Sequence, residues 1–184
     1  MIYTLLPPND PRVLSSIAEF DIERFKEDEK IELKEFVNNM FETMKKYGGI
    51  GLSANQIGLP FRMFIMGGHP LVEEGKVRQC WNPEIVESSK EKVLMKEGCL
   101  TFPWLFLSIK RPSWVKVKYE NDDKETVEEY LHGMSARVFQ HEYDHMEGIV
   151  FTSLVSKMKL DLAEKKRKKD IKNATRNKTQ LERT

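Results

Sequence analysis

The sequence contains little cysteine and lacks any long apolar run. Its 184 residues include only two cysteines, Cys80 and Cys99, which are too few for a disulfide framework and fit a reducing compartment. The first residues, MIYTLLPPNDPR, have neither the basic start nor the apolar stretch of a signal peptide. No segment approaches the roughly 20 apolar residues of a membrane-spanning helix. We therefore expect a cytoplasmic protein with no membrane partner.

Charge is distributed unevenly along the chain. Residues 151–184 contain 11 Lys or Arg against 4 Asp or Glu, whereas the whole chain carries a formal net charge of only +1. The length and the 40% hydrophobic content are those of one domain with a proper core. We expect this domain over residues 1–155, followed by a basic tail over 156–184 that is helical or disordered. Such a tail is either solvated or in contact with an anionic surface.

Two segments have the apolar spacing of amphipathic helices. The first covers residues 23–47 and is followed by Gly48, and the second begins after Gly133 and ends at Gly148. Between them lie five short β-prone segments, RMFIM, VRQCW, EIVES, SWVKVKY and TVEEYL. Because strands and helices do not alternate, this order predicts an α+β fold. We expect small antiparallel sheets packed around the second helix, with the first as an N-terminal core helix.

The second helix carries the motif HEYDH, which makes it a candidate metal-binding helix. His141 and His145 are four residues apart, so both imidazoles lie on one face and can bind one cation. Glu142 lies beside them and, as in zinc peptidases, can take a proton from water instead of binding the metal. The alternative is a surface helix in which these residues coincide by chance. The motif favours a hydrolytic metal site.

A catalytic metal site of this kind needs a third protein ligand and an open position for water. No histidine follows His145, and the downstream acids either adjoin the motif or lie in the basic tail. Upstream, Cys99 follows Gly98, where a thiolate could approach a metal that keeps it deprotonated. An open site with two histidines and Cys99 is therefore expected. Cys80, beside Trp81 in a β-prone segment, is expected to be a small buried apolar residue.

The glycine-rich stretch GIGLSA matches the dinucleotide-binding fingerprint only formally. That fingerprint requires a strand before it and a helix after it, whereas here a helix precedes and an extended segment follows. Ile50 and Gly51 could instead offer their peptide groups to an extended substrate, as a neighbouring strand would. Gln56 at the end of the stretch either points into the site or is an ordinary turn residue.

Three stretches, GIGLSANQ (49–56), EGCLT (97–101) and QHEYDH (140–145), resemble the three signature motifs of the peptide deformylases and occur in the same order. The resemblance also includes DPR near residue 10, NPEI at 82–85 and Arg111, and it extends to about Phe151. Ser53 and Thr101 stand where the family usually has Ala and Ser, and both changes are small. Residues 1–155 would then be the deformylase catalytic domain.

The resemblance implies hydrolysis of the formyl group from the N-terminal formyl-methionine of nascent polypeptides, with release of formate. Cys99, His141 and His145 would hold one divalent ion, and Glu142 would be the general base. The family resemblance implies Fe²⁺ in the cell. Zn²⁺ or Ni²⁺ can replace it in purified protein, because a thiolate-bound ferrous site is exposed to oxidation.

The resemblance also assigns the surroundings of the substrate. The Gln56 side chain and the backbone N–H of Leu100 would donate to the formyl oxygen, where negative charge develops. Glu97 and Arg111 would form an ion pair that braces the cysteine loop, and the methionine side chain would enter an apolar pocket beside the metal helix. The expected substrate-binding residues are Ile50, Gly51, Glu97 and Val138.

Two other functions are open from the residues alone. One is a zinc metallopeptidase that cleaves peptide bonds, and the other is a metal-stabilised module that binds nucleic acid through its basic tail. Neither accounts for EGCL and GIGLSANQ together. The tail also resembles, in position and charge, the segment through which some bacterial deformylases dock on ribosomes, although a solvated helix has the same composition. We expect a monomer, with His69 and His132 as surface histidines.

Overall fold

The computed structural model describes residues 1–21, 32–121 and 123–181. Within them the helices are α1 (Leu33–Lys46), α2 (Gly133–Met146) and α3 (Lys157–Leu181). The strands are β1 (Gly51–Ser53), β2 (Met63–Met66), β3 (Arg78–Ser88), β4 (Lys92–Cys99), β5 (Phe102–Pro112), β6 (Trp114–Glu120) and β7 (Thr126–His132). Short 3₁₀ helices occur at Ala54–Ile57, Glu73–Gly75 and Phe151–Leu154. No helix of these ranges has the length and apolar character needed to cross a bilayer.

The strands form two sheets. One has five strands in the order β1-β2-β3-β6-β7, and the other is the two-stranded hairpin β4–β5. Every pairing in both sheets is antiparallel. This arrangement confirms the predicted α+β fold with small antiparallel sheets. It also leaves β1, which lies within the glycine-rich stretch, as an edge strand.

Helix α2 lies between the two sheets. One side packs against the five-stranded sheet in a single apolar cluster, whose members include Phe64, Met66, Cys80, Val115, Val117, Leu131, Ala136, Val138, Phe139 and Met146. The polar side chains of its other side are also buried, including Gln140, His141, Glu142 and His145. Because buried polar groups are costly without partners, these side chains must bond with one another, with the hairpin or with a ligand.

Helix α1 covers the other end of the five-stranded sheet. Its buried side chains Phe36, Val37, Met40 and Met44 form a second cluster with Trp81, as the apolar spacing predicts. Gly48, whose φ of 72° is left-handed, follows the helix and allows the chain to turn there. Residues 23–31 of the predicted helix lie outside the described residues.

The structure has one long strand where two are predicted. The segments VRQCW and EIVES are parts of β3, which continues through Asn82 and Pro83 with a register shift between Trp81 and Glu84. Asn82 adopts a φ of 46° at this bulge. Its side chain exchanges two hydrogen bonds of 2.9 Å with the backbone of Phe20. The bulge therefore fixes the N-terminal segment instead of ending the strand.

Helix α3 packs along the hairpin. Leu160 and Ala163 contact the apolar cluster of β5, and Nε of Arg167 donates to the carbonyl oxygen of Pro103 at 2.8 Å. The lysines of its middle part point to solvent. They are Lys165, Lys166, Lys168, Lys169 and Lys172.

Candidate metal centre

Three possible metal ligands meet where the end of β4 faces α2. The ligand atoms of Cys99, His141 and His145 all lie within 4.8 Å of one another, and Sγ of Cys99 is 3.4 Å from Nε2 of His145. In a tetrahedral site with ordinary metal–sulfur and metal–nitrogen bonds, ligand atoms lie roughly 3.5 Å apart. The three side chains therefore fit one transition-metal ion without rearrangement of the backbone.

The electrostatics of this cluster also favour a cation. Burial lowers the pKa of His145 well below its usual range, so this imidazole is neutral and can act as a ligand. Burial alone would also lower the pKa of His141, but hydrogen bonds with Cys99 and Glu97 raise it well above its usual range. The surroundings of His141 thus favour positive charge, which a bound cation would supply in place of the proton.

Glu97 orients His141 from behind. Its Oε2 lies 3.0 Å from Nδ1 of His141, which leaves Nε2 of that ring directed at the candidate site. Burial would raise the pKa of Glu97, but hydrogen bonds from His141 and Arg111 outweigh it and lower the pKa to about 2. Glu97 is therefore ionised, and it is held in place rather than free to move with a substrate.

Two arginines complete the surroundings of Glu97. Arg111 forms a two-pronged ion pair with the carboxylate at 2.7 and 3.1 Å, which the resemblance implies. It also donates to Asp144 at 2.7 Å, so Asp144 links α2 to the hairpin. Arg137 donates to Glu97 at 2.7 Å and to the carbonyl oxygen of Val93 at 2.8 Å. Together these bonds join β4, β5 and α2 around the ligands.

Glu142 lies beside the ligands and is almost completely buried. Burial raises its pKa to about 7, and its Oε2 has no hydrogen-bond partner among the described residues. The side chain lies against Gly51 of β1 so closely that a β-carbon there would collide with the carboxylate. Glycine at this position is thus what allows the carboxylate to lie between the ligands and the edge strand.

Gln56 is buried, and its side chain points toward the metal ligands. Its Oε1 accepts hydrogen bonds from the backbone N–H and the hydroxyl of Ser53, both at 3.0 Å. Its Nε2 is therefore directed the other way, 3.0 Å from Oγ1 of Thr101 and 3.4 Å from Sγ of Cys99. The two residues that depart from the usual family pattern, Ser53 and Thr101, hold the two ends of this carboxamide.

A cleft of about 680 Å³ opens onto the cluster. Its lining includes all the residues expected to touch the substrate, namely Ile50, Gly51, Gln56, Glu97, Leu100, Val138 and Glu142. Ile50 and Gly51 lie at the edge strand, whereas Val138 belongs to α2 and packs in the cluster beneath it. Glu97 is part of the lining, but its side chain bonds to His141, Arg111 and Arg137.

The structure also contains contacts that the sequence reasoning missed. Arg137 precedes His141 by four residues, so helical spacing could have placed it on the ligand face. Asn55 donates to the carbonyl oxygen of His145 at 2.8 Å, a contact across the fold with no local signal. As the sequence predicts, Cys80 is buried and both His69 and His132 are exposed.

Comparisons with known proteins agree with this geometry. The model of the polypeptide deformylase family matches residues 3–161. A peptide deformylase of Thermotoga maritima is 45% identical over 134 residues, which are 73% of this chain and 79% of that protein. A peptide deformylase of a Wolbachia pipientis strain from Culex pipiens is 44% identical over 145 residues, with 74% of this chain and 81% of that protein covered.

Solved structures show the same similarity. The crystal structure of the Thermotoga maritima peptide deformylase superposes with a TM-score of 0.75 at 37% identity, covering 85% of this chain and 99% of that one. A peptide deformylase from Legionella pneumophila gives a TM-score of 0.80 at 30% identity, covering 96% of this chain and 99% of that one.

Proposed function

Since the chain belongs to the polypeptide deformylase family, and is thus a metal-dependent enzyme that removes the N-terminal formyl group of polypeptides, we propose which of its residues perform this reaction. Cys99, His141 and His145 hold the ion. The observation that carries this assignment is the convergence of their three ligand atoms within 4.8 Å. When bound, a divalent ion polarises the formyl carbonyl and makes water a stronger nucleophile near neutral pH.

Glu142 is proposed as the group that moves the proton. Its buried carboxylate takes a proton from the attacking water and later gives it to the amine of the methionine, which leaves as formate is released. A pKa of about 7 suits both steps, because the group must accept and then release a proton near neutral pH. The free Oε2 provides the acceptor atom.

Gln56 and Leu100 are proposed to stabilise the negative charge that develops on the formyl oxygen. The carboxamide of Gln56 is fixed by Ser53, so its Nε2 is held beside Sγ of Cys99 before any substrate arrives. A donor that needs no reorganisation is the most effective kind of transition-state stabiliser. Leu100 follows Cys99 directly, which puts its backbone N–H beside the ligand and at the cleft.

The apolar part of the cleft is proposed to bind the methionine side chain. Ile50 and Val138 border it, and both pack against the cluster under α2. The edge of β1 at Gly51 can pair with an extended peptide, as an added strand does. Glu97 belongs to this proposal as a support of His141, since its oxygens are occupied by partners.

The test of the function uses protein prepared without oxygen, together with formyl-methionyl peptides and unformylated internal peptides. Formate release without internal cleavage is the expected result, whereas internal cleavage would support the metallopeptidase. We propose Fe²⁺ as the ion in the cell, with support from the family resemblance, because the donor set itself also suits Zn²⁺ and Ni²⁺. Elemental analysis should then find about one iron per chain in active anaerobic protein.

We also propose that helix α3 contacts ribosomal RNA, in a monomeric enzyme that acts in the cytoplasm on nascent chains. The support is its row of solvent-facing lysines, which the packing against β5 does not use. The division into a catalytic domain (1–155) and a basic tail (156–184) belongs to this proposal.

Truncation after Ser156 should weaken co-sedimentation with ribosomes, and the loss should be largest at low salt. A gentler variant replaces Lys165, Lys166, Lys168 and Lys169 with Gln and keeps the apolar contacts of α3. The matched control replaces the exposed Lys34, Lys45, Lys46 and Lys90 with Gln. Equal co-sedimentation of the two quadruple variants would contradict the proposal, since both lose the same charge.

A further inference from the structure

The outer wall of the cleft, formed by Lys96, Trp104 and Phe106 of the hairpin, has no part in the chemistry described above. All three residues line the cleft. Trp104 is 57% exposed and Phe106 is 53% exposed, although large aromatic side chains are normally buried. The wall therefore offers aromatic surface and one positive charge to whatever extends out of the site.

Trp104 is held in a strained backbone conformation at this wall. Its φ of 68° is left-handed, a region that is unfavourable for a residue with a β-carbon. The fold gains little burial in return, because the side chain remains more than half exposed. Backbone strain that is not offset by side-chain packing is typical of sites that bind a ligand.

Phe106 and Lys96 form a fixed pair next to the metal cluster. Phe106 lies opposite Gly98 in the hairpin register, and a β-carbon at Gly98 would be 2.8 Å from its ring. The ring thus lies against the backbone one residue before Cys99. Nζ of Lys96 is 4.7 Å from the ring centroid, and within the described ranges of the chain Lys96 forms no ion pair.

From this arrangement, and resting on the deformylase function, we propose that the outer wall selects residues downstream of the formyl-methionine. Lys96 pairs with an acidic side chain of the nascent peptide, and Trp104 receives an aromatic one. Lys96 precedes Cys99 by three residues on β4, which corresponds to about 10 Å of extended chain. An extended substrate therefore brings its second to fourth residues past the wall.

The experiment measures kcat/KM for formate release from formyl-methionyl tetrapeptides that carry Asp, Lys, Phe or Ala at position 2, 3 or 4. The wild-type enzyme should prefer Asp over Lys about two- to five-fold at one of these positions, which is within the range of an exposed ion pair. In Lys96→Glu the ratio should invert at the same position. Both effects should shrink in about 0.5 M salt.

The matched control is Lys110→Glu. Lys110 lies on the same strand pair, opposite Leu94, and is exposed, but it is not part of the cleft lining. The substitution changes the net charge equally, so the Asp-to-Lys ratio should stay as in the wild type. An equal shift of the Asp-to-Lys ratio in Lys110→Glu would show that the effect comes from the overall charge of the protein, and it would overturn the role of Lys96.

A second variant separates binding by Trp104 from a structural role. Trp104→Gly removes the strain at a left-handed position, so the melting temperature should not fall. The preference for Phe over Ala should nevertheless drop about three-fold, through KM. An unchanged preference would overturn the aromatic part of the proposal.

The outcomes also distinguish this inference from the function beneath it. Formate release from all peptides with equal efficiency would overturn the proposed selectivity of the outer wall and leave the deformylase function intact. No formate from any peptide, including the alanine reference, would overturn both.

Discussion

Replacing Glu142 with Gln is expected to abolish most deformylation while the metal content of the protein stays unchanged. Glu142 is 4% exposed and its pKa is raised to about 7 by burial, so its carboxylate can take and return a proton near neutral pH. A glutamine of the same shape can do neither. A positioned general base contributes roughly 10²- to 10⁴-fold, so kcat should fall at least about 100-fold. Formate release and elemental analysis of the same sample measure both quantities.

The control for this variant is Glu147→Gln. Glu147 follows α2, its side chain is 37% exposed, and it pairs with Arg62 at 2.6 Å. Loss of such a pair costs at most about 1 kcal/mol of stability, so this protein should keep its turnover. Retained turnover in Glu142→Gln would exclude Glu142 as the base. Loss of the ion from that variant would instead identify Glu142 as a ligand.

The helix that carries the histidines could be predicted because its signals are local. The four-residue spacing of His141 and His145 depends only on helical geometry, and Gly133 and Gly148 mark its two ends with left-handed φ values of 54° and 70°. Gly148 has a second role that the sequence does not reveal. A β-carbon there would lie 2.8 Å from the backbone of Leu14 and its neighbours, so the N-terminal segment packs against this point.

The apolar pattern does not mark out the hairpin β4–β5 clearly, because charged and apolar side chains occur on both of its faces. The inner face buries Leu105, Leu107 and Ile109, but it also buries the charged Glu97 and Arg111. The outer face exposes the apolar Leu94 and Phe106. A period-two pattern indicates a strand when apolar side chains lie on the buried face. Glu97 and Arg111 are stabilised by each other and by His141 of α2. Because these partners are distant in sequence, a short stretch of sequence cannot reveal them.

The site as a whole depends on contacts between distant segments. Cys99 precedes His145 by 46 positions. The sequence could therefore identify Cys99 as a candidate metal ligand only from its residue type and from the family resemblance. The orientation of Gln56 is another long-range result, because Thr101 and Cys99 lie on the far side of its carboxamide. Side-chain chemistry identified the candidates, and only the fold determines their distances.

Replacing Cys99 with Ala is expected to remove most of the bound ion and, with it, the activity. The thiolate is the one anionic ligand of the proposed set, and Sγ lies 3.4 Å from Nε2 of His145. Changes to residues that merely support a ligand weaken metal binding about 10- to 100-fold, so loss of a ligand should weaken it more. Elemental analysis after dialysis against a mild chelator measures this loss.

Cys80→Ala is the matched control, because it removes the other thiol of the chain. Cys80 is fully buried in the apolar cluster between the five-stranded sheet and α2, so its loss should lower stability slightly through a small cavity but leave the metal in place. The two variants can also be compared by melting temperature with and without added metal. Metal that binds only the folded state raises this temperature, which should occur in Cys80→Ala and be almost absent in Cys99→Ala. Equal metal retention in both variants would contradict Cys99 as a ligand, since only Cys99 lies within reach of both histidines.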